Sequence, residues 1–344
     1  MESNVTKIQE LLHRRAELQA RLNLLPYDGS PEVKERDGKK YLYIRKRVAS
    51  RLTSTYVDIY SDELYQLLLR NTRESRELKK NLRHLDKQLA QLGYTEESIA
   101  SEVLLNIDFA RANLKTSIYD QAILEGVATT FPQTEDIIEN GKVSGMRATD
   151  IQKILNLKHA WEFVLDKDVI SAPSDYYLLC HIAKLVNEGF FAYGGRIRGV
   201  PVTIGGTSYV PPLPIERNVK EEIWQIVSGS KTTDDTAEES FTKTTDDTAE
   251  TFAKKTSATA TPHFLDVAIR LCLYCMRTQI FNDGNKRAAV IFANHFLIAH
   301  GEGLLVIPAP DVPEFKKLLV TFYETNDATN ITKFLKEKCW TNLK

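Results

Sequence analysis

Four cysteines in 344 residues are too few for a disulfide framework. Cys272-Leu-Tyr-Cys275 is a CxxC, but it lies inside an apolar helical run and has no second pair, whereas zinc takes four ligands. Cys180, Cys272, Cys275 and Cys339 are therefore expected as free thiols, the close pair on a buried helix face. Net charge is equally scarce. The 45 basic and 46 acidic residues leave −1, so bulk charge implies no polyanionic partner and only local clusters count. No apolar run reaches the length of a membrane span, and no basic start leads into an apolar leader. A soluble, cytoplasmic protein with no membrane partner is the expectation. The glycine-rich run at 194–206 contains no Gly-Lys-Ser/Thr, which excludes a Walker A loop there.

What is present is 42% hydrophobic residues, enough for a substantial core, on a chain long enough for one large domain plus an appendage. The densest chemistry lies in Thr278-Gln-Ile-Phe-Asn-Asp-Gly-Asn-Lys-Arg-Ala-Ala-Val290, flanked by apolar runs at 264–276 and 290–298. Helix, tight polar loop, helix is the economical reading. Gly284 eases the turn, and Asn285, Lys286 and Arg287 fall where the second helix begins. A helix N-terminus offers free N–H groups and a positive dipole end to an anion. Asp283 faces the same space and suits a hard cation. A nucleotide polyphosphate with Mg²⁺ needs that combination. An interhelical turn closed by a salt bridge fits the spacing equally well.

The stretch Gln279–Val290 resembles the signature of the Fic/Doc (Fido) family, His-x-Phe-x-Asp/Glu-Gly-Asn-Gly/Lys-Arg. Phe281, Asp283, Gly284, Asn285, Lys286 and Arg287 match it. The resemblance implies a compact helical domain whose loop binds ATP or another nucleoside triphosphate with Mg²⁺. It also implies transfer of AMP (AMPylation), or of phosphate in Doc-like members, to a hydroxyl of a target protein. Asp283 would hold the metal. Gly284, Asn285, Lys286 and Arg287 would bind the nucleotide, with Asn285 and Arg287 also serving catalysis. The family's catalytic His, which deprotonates the hydroxyl, is Gln279 here, and an amide accepts no proton near neutral pH. Lys286 follows the Doc-like form. Val290 stands where the adenylylating subgroup has a second arginine. Upstream, Gln121-Ala-Ile-Leu-Glu-Gly126 resembles the family's inhibitory motif, Ser/Thr-x-x-x-Glu-Gly/Asn, with Glu125 and Gly126 matching. With no second arginine, Glu125 must find Arg287, Lys286 or water.

The rest of the chain reads as mainly α, in two parts. Residues 1–95 form an arm: a helix over 4–25, a hairpin of two strands (41–48 and 52–60), and a helix over 62–92 with apolar residues at heptad spacing. The two helices should pair antiparallel as a coiled coil. The hairpin region is basic and tyrosine-rich, which fits contact with nucleic acid or with a protein, and fits more commonly a solvated strand face that blunts an exposed sheet edge. Residues 100–344 form the Fic-like domain, with one helix over 101–124 and core helices over 149–165 and 174–188. A small β-hairpin flap over 193–214 is expected there, and the resemblance has it hold the target protein by strand addition. His159 and His181 read as core residues, and His295 lies about two helical turns beyond Arg287. Lys231-Thr-Thr-Asp-Asp-Thr-Ala-Glu238 recurs at 243–250, within a low-complexity insert over 228–261. Three functions follow: a transferase of weakened or altered activity, a non-catalytic nucleotide-binding regulatory or interaction module, or a nucleic-acid-associated protein acting through the arm.

Overall fold

The computed structural model describes residues 2–25, 29–36, 38–48, 51–94, 99–140, 145–229 and 264–343. Apart from Ser228 and Gly229, the insert expected over 228–261 lies outside the described residues.

The chain starts with α1 (Glu2–Leu24), a sheet of β1 (Ser30–Arg36), β2 (Lys39–Val48) and β3 (Arg51–Ile59), and the long α2 (Asp62–Gln91). Ser61 caps α2, its hydroxyl accepting from the Leu64 N–H at 3.2 Å. Most heptad positions of α2 are buried, with Leu82 and Leu92 half-buried, and α2 runs antiparallel to α1. Thr72 donates to the Gly29 carbonyl at 2.7 Å, while Asp86 reaches back to Arg15 at 3.1 Å.

Two expectations for this region are corrected. The hairpin is a three-stranded antiparallel sheet in the order β1-β2-β3. β1 escaped notice because Ser-Pro-Glu-Val-Lys-Glu-Arg is nearly all polar, and its Pro31 suits only an edge strand. Nor is α1 confined to an arm. Ala16 and Ala20 are buried in the main core, where their small side chains let α1 approach closely. Arg15 pairs with buried Asp168, and Arg21 with Glu188 at 2.6 Å.

The main body continues with α3 (Ser101–Ala112), α4 (Leu114–Leu124), α5 (Phe131–Asn140), α6 (Ala148–Val164), α7 (Lys167–Ile170), α8 (Tyr176–Val186) and α9 (Glu216–Ser228). The single helix expected over 101–124 is broken at Asn113 (φ −97°, ψ 4°), whose side-chain amide donates back to the Phe109 carbonyl at 2.9 Å. That local bond competes with helix continuation. Then come α10 (Phe264–Thr278), α11 (Asn285–Ala299), β4 (Leu304–Leu305), α12 (Val312–Thr325), α13 (Thr329–Phe334) and β5 (Trp340–Thr341), with β5 pairing β4.

Helix α11 is the axis of the core. Thirteen of its fifteen residues are buried, so it is apolar nearly all round, as a central helix must be. Its buried amide Asn294 is fully partnered. Asn294 donates to the Val290 and Leu305 carbonyls and accepts from the Leu305 N–H, each at 2.8 Å. Cys272 and Cys275 are buried on α10, where burial pushes the Cys272 thiol up to about 12. Among the described residues no group of three His, Cys, Asp or Glu side chains is placed to hold a metal ion, and no helix is long and apolar enough to cross a membrane.

Candidate active site

The turn between α10 and α11 carries a buried polar network. Gly284 caps α11 at φ 75°, ψ 10°, and a Cβ there would meet the Asn187 amide at 2.8 Å. Both the left-handed backbone and that close approach require glycine. Asn187 is fully buried at the end of α8 and donates to the Asp283 carbonyl at 2.9 Å, fixing the turn against α8. Asn285 closes the loop on itself. It accepts from the Phe281 N–H at 2.9 Å and donates to the Phe281 carbonyl at 2.7 Å. Phe281 is 1% exposed and anchors the loop in the core. The first N–H groups of α11 have no acceptor within the helix and open at its N-terminus.

The cations and carboxylates meet at this end. Arg287 is 1% exposed, and its guanidinium donates to the Val186 carbonyl at 2.7 Å. It also reaches Asp283 Oδ2 at 3.2 Å, the salt bridge that an interhelical turn would have. Glu125 arrives from the end of α4. Its Oε2 lies 3.4 Å from Arg287 Nε, and its Oε1 lies 3.6 Å from Lys286 Nζ. A Schellman ending of α4 holds it there. Gly126 takes φ 75°, its N–H bonds the Ile123 carbonyl, and the Val127 N–H bonds the Ala122 carbonyl at 3.0 Å. Gln121, one turn earlier, donates to the Arg287 carbonyl at 2.8 Å and accepts from Trp161 Nε1 at 3.0 Å. A Ser or Thr side chain is too short to span both partners, so the amide locks α4 onto α11.

Gln279 sits at φ 49°, unusual for a residue with a side chain. Its amide is turned onto its own loop, donating to the Met276 carbonyl at 2.6 Å and accepting from Asn285 at 3.1 Å. Tyr323 of α12 touches it as well. Burial, with Cys272 and Glu125 nearby, pushes that phenol well above its ordinary range.

All the site residues expected from the sequence therefore converge. Several that matter to the geometry were not anticipated: Asn187, Gln121 as a brace, Tyr323 and Arg198. Arg198 is 2% exposed, and its donors reach the carbonyls of Gln279 (2.5 Å), Val200 (2.9 Å), Pro211 (3.1 Å) and Pro212 (2.6 Å). The flap expectation is corrected here, since 193–214 contains no strand. Pro201, Pro211, Pro212 and Pro214 have no N–H for a ladder, and Arg198 ties the segment down in its place. The one sequence signal for this staple was the prolines, whose carbonyls have no neighbouring N–H to organise them.

His295 stands apart from the loop. His295 Nε2 donates to the Val169 carbonyl at 2.8 Å, so its Nδ1 accepts from the Ser174 hydroxyl at 2.9 Å. Full burial pushes this imidazole down to about 4. The unfolded chain, with its His near 6.5, takes up a proton before the folded one does. His295 thus contributes stability that is complete above about pH 6.5 and is lost as pH falls toward 4. Urea unfolding should show that decline, and His295→Gln should flatten it. An equal decline in the variant would assign the effect to other groups.

Residues 173–297, from the start of α8 through most of α11, match the family model "Fic/DOC family". The chain carries a Fic domain. Residues 5–66 match a second model, "Domain of unknown function (DUF6788)". Among solved structures the chain is similar to Fic-1 (residues 134–508) from C. elegans, at 18% identity and TM-score 0.47, covering 80% of this chain and 73% of that one. It is similar to a Fic domain-containing signaling protein from Bacteroides thetaiotaomicron at 15% identity and TM-score 0.44, covering 70% and 86%. A Fic family protein from Desulfovibrio desulfuricans gives 16% and 0.42, covering 70% and 73%. No curated protein matches the chain.

Proposed function

We propose that this Fic domain binds a nucleoside triphosphate with Mg²⁺ and transfers AMP or phosphate to a protein hydroxyl, at a rate reduced by the loss of the family's histidine. The observation that carries the reading is Glu125. An internal carboxylate, delivered by a different helix, lies against Lys286 and Arg287, where an anionic ligand would sit. Arg287 Nε and Glu125 Oε1 are both buried without a hydrogen-bond partner, so the pair is an imperfect match that a phosphate oxygen would improve.

The residues present fit such a ligand. Asp283 is half exposed at the mouth of the turn and would hold Mg²⁺ as its single protein carboxylate, which this ion accepts when phosphates complete its shell. The metal would supply charge neutralisation. Lys286, Arg287 and the N–H groups of α11 bind and orient the phosphates. Glu125 opposes them by holding both cations, as the family's inhibitory glutamate does. Residues 202–206, outside any ladder and not held by Arg198, offer backbone groups to a target segment.

A non-catalytic nucleotide-binding regulatory module is the second reading. It is favoured by Gln279, whose amide is spent on Met276 and Asn285 rather than presented to a substrate. Both readings require nucleotide, so calorimetry with ATP and Mg²⁺ tests them together. Asp283→Ala should abolish the Mg²⁺-dependent part of the binding heat while leaving the melting temperature within a few degrees, as for a surface change. Unchanged affinity and unchanged Mg²⁺ dependence would remove Asp283 from the site.

A further inference from the structure

The three-stranded sheet buries only one of its faces. Leu42 and Ile44 of β2 pack with Leu64 and Leu68 of α2. The alternate residues of β2 must point the other way, toward solvent. There Tyr43 stands across from Tyr56 of β3, Tyr41 across from Lys34 of β1, and Arg45 completes the row. The Tyr56 ring lies 5.6 Å from that of Tyr43 and 6.3 Å from that of Tyr41, and Tyr56 is 51% exposed. Lys34 Nζ sits 4.3 Å from the Tyr43 ring centroid. Of the two acidic residues near these rings, Glu32 is engaged by Ser54 at 2.9 Å and by Lys34 at 3.5 Å, and Asp58, beside Tyr56, accepts from the Ile59 N–H at 2.8 Å.

Charge is concentrated here. Residues 30–59 contain eight Lys and Arg against four Asp and Glu, a net of +4, on a chain whose total is −1. The other residues therefore sum to −5, so this stretch is the basic exception in the sequence.

We propose that this open face binds single-stranded nucleic acid, bases stacking on Tyr41, Tyr43 and Tyr56 and phosphates neutralised by Lys34, by Arg45 and by Arg36, which lies two residues along β1 from Lys34 and so on the same face. Contiguous aromatic rings among cations on an uncovered sheet suit unpaired bases, because a duplex hides its base faces. A protein partner is the poorer fit, since the core of a protein interface is depleted of charge whereas this face interleaves its rings with cations. The inference is independent of nucleotide binding at the α10–α11 turn.

Fluorescence anisotropy of the full chain with labelled oligo-dT and oligo-U of about 12 nucleotides tests it. Three phosphate contacts give a salt slope near −2, so raising salt from about 50 to about 200 mM should weaken binding about twentyfold. Tyr56→Ala should weaken it about tenfold, the value of one stacked base, while Tyr56→Phe keeps the affinity. Arg45→Glu should weaken it and flatten the salt slope. Both positions are exposed, and an unchanged melting temperature will show that the fold is intact. Tighter binding of either oligomer supports the proposal and tells DNA from RNA. Several results would overturn it: no binding of either oligomer at low salt, binding indifferent to both substitutions, or equal affinity for duplex. So would a protein partner lost in Tyr56→Ala when neither oligomer binds.

Discussion

Gln279→His should raise transfer of label from ATP to a protein hydroxyl by about 10²-fold, the lower part of the range for a positioned general base. The surrounding loop needs no rebuilding for this. Phe281 is anchored, Asn285 closes the turn, and Lys286 and Arg287 stand at the start of α11. The backbone at 279, with φ 49°, is one that His adopts more readily than most residues with side chains. The substitution also frees the Met276 carbonyl and one Asn285 donor that the Gln amide now engages. Those losses are local and small beside the gain of a titratable base. Glu125 still faces both cations, so the same change belongs in a Glu125→Gly background too. Gain confined to the double variant means that Glu125 obstructs the triphosphate. Label from the α-phosphate identifies AMP transfer, and label from the γ-phosphate identifies phosphate transfer. If Gln279→His binds ATP and Mg²⁺ but transfers nothing in either background, the lapsed-transferase reading fails and the loop is a nucleotide sensor.

The sequence displayed the loop because its chemistry is contiguous. A carboxylate, a glycine, an amide and two cations within five residues allow few other conformations, and the structure puts them at a helix N-terminus. Glu125 was legible only through a resemblance. Nothing in Gln121–Gly126 by itself tells a glutamate in solvent from one that reaches Arg287. The buried braces were illegible for a different reason. Asn187 follows an apolar helix as any C-terminal polar residue does, and it becomes a clamp only because α8 lies against the turn. Arg196 and Arg198 look alike in Gly-Gly-Arg-Ile-Arg-Gly. One lies over the Tyr193 ring at 4.2 Å, and the other is buried under the prolines. β1 was missed because its partners and its position at the sheet edge, rather than apolar alternation, make it a strand. The glycines and β-prone residues of 193–214 suggested a hairpin, yet the prolines among them withhold the donors that a ladder uses.

Arg198→Ala should then be among the most damaging single changes near the site, costing about 3 kcal/mol of stability. Its side chain serves four carbonyls, and hydrogen bonds from a charged donor are worth roughly 1.5–3 kcal/mol each before the released carbonyls regain water. Burial alone pulls this guanidinium below its usual range, and only carbonyl oxygens accept from its side chain, so its charge is held by peptide dipoles. Two of those carbonyls belong to Pro211 and Pro212, and another to Gln279. Truncation therefore loosens 199–212 and the turn together. Amide exchange at Phe281 and Gly284, now bonded to Asn285 and Asp283, should quicken along with the loss of stability. Arg198→Lys should rescue only in part, because one ammonium cannot reproduce a planar fork that faces the turn and the prolines at once. In a Gln279→His background, Arg198→Ala should lower the newly gained transfer, since the backbone that carries the base is no longer fixed. Wild-type stability and unchanged exchange in Arg198→Ala would show that the proline segment holds its place without the staple.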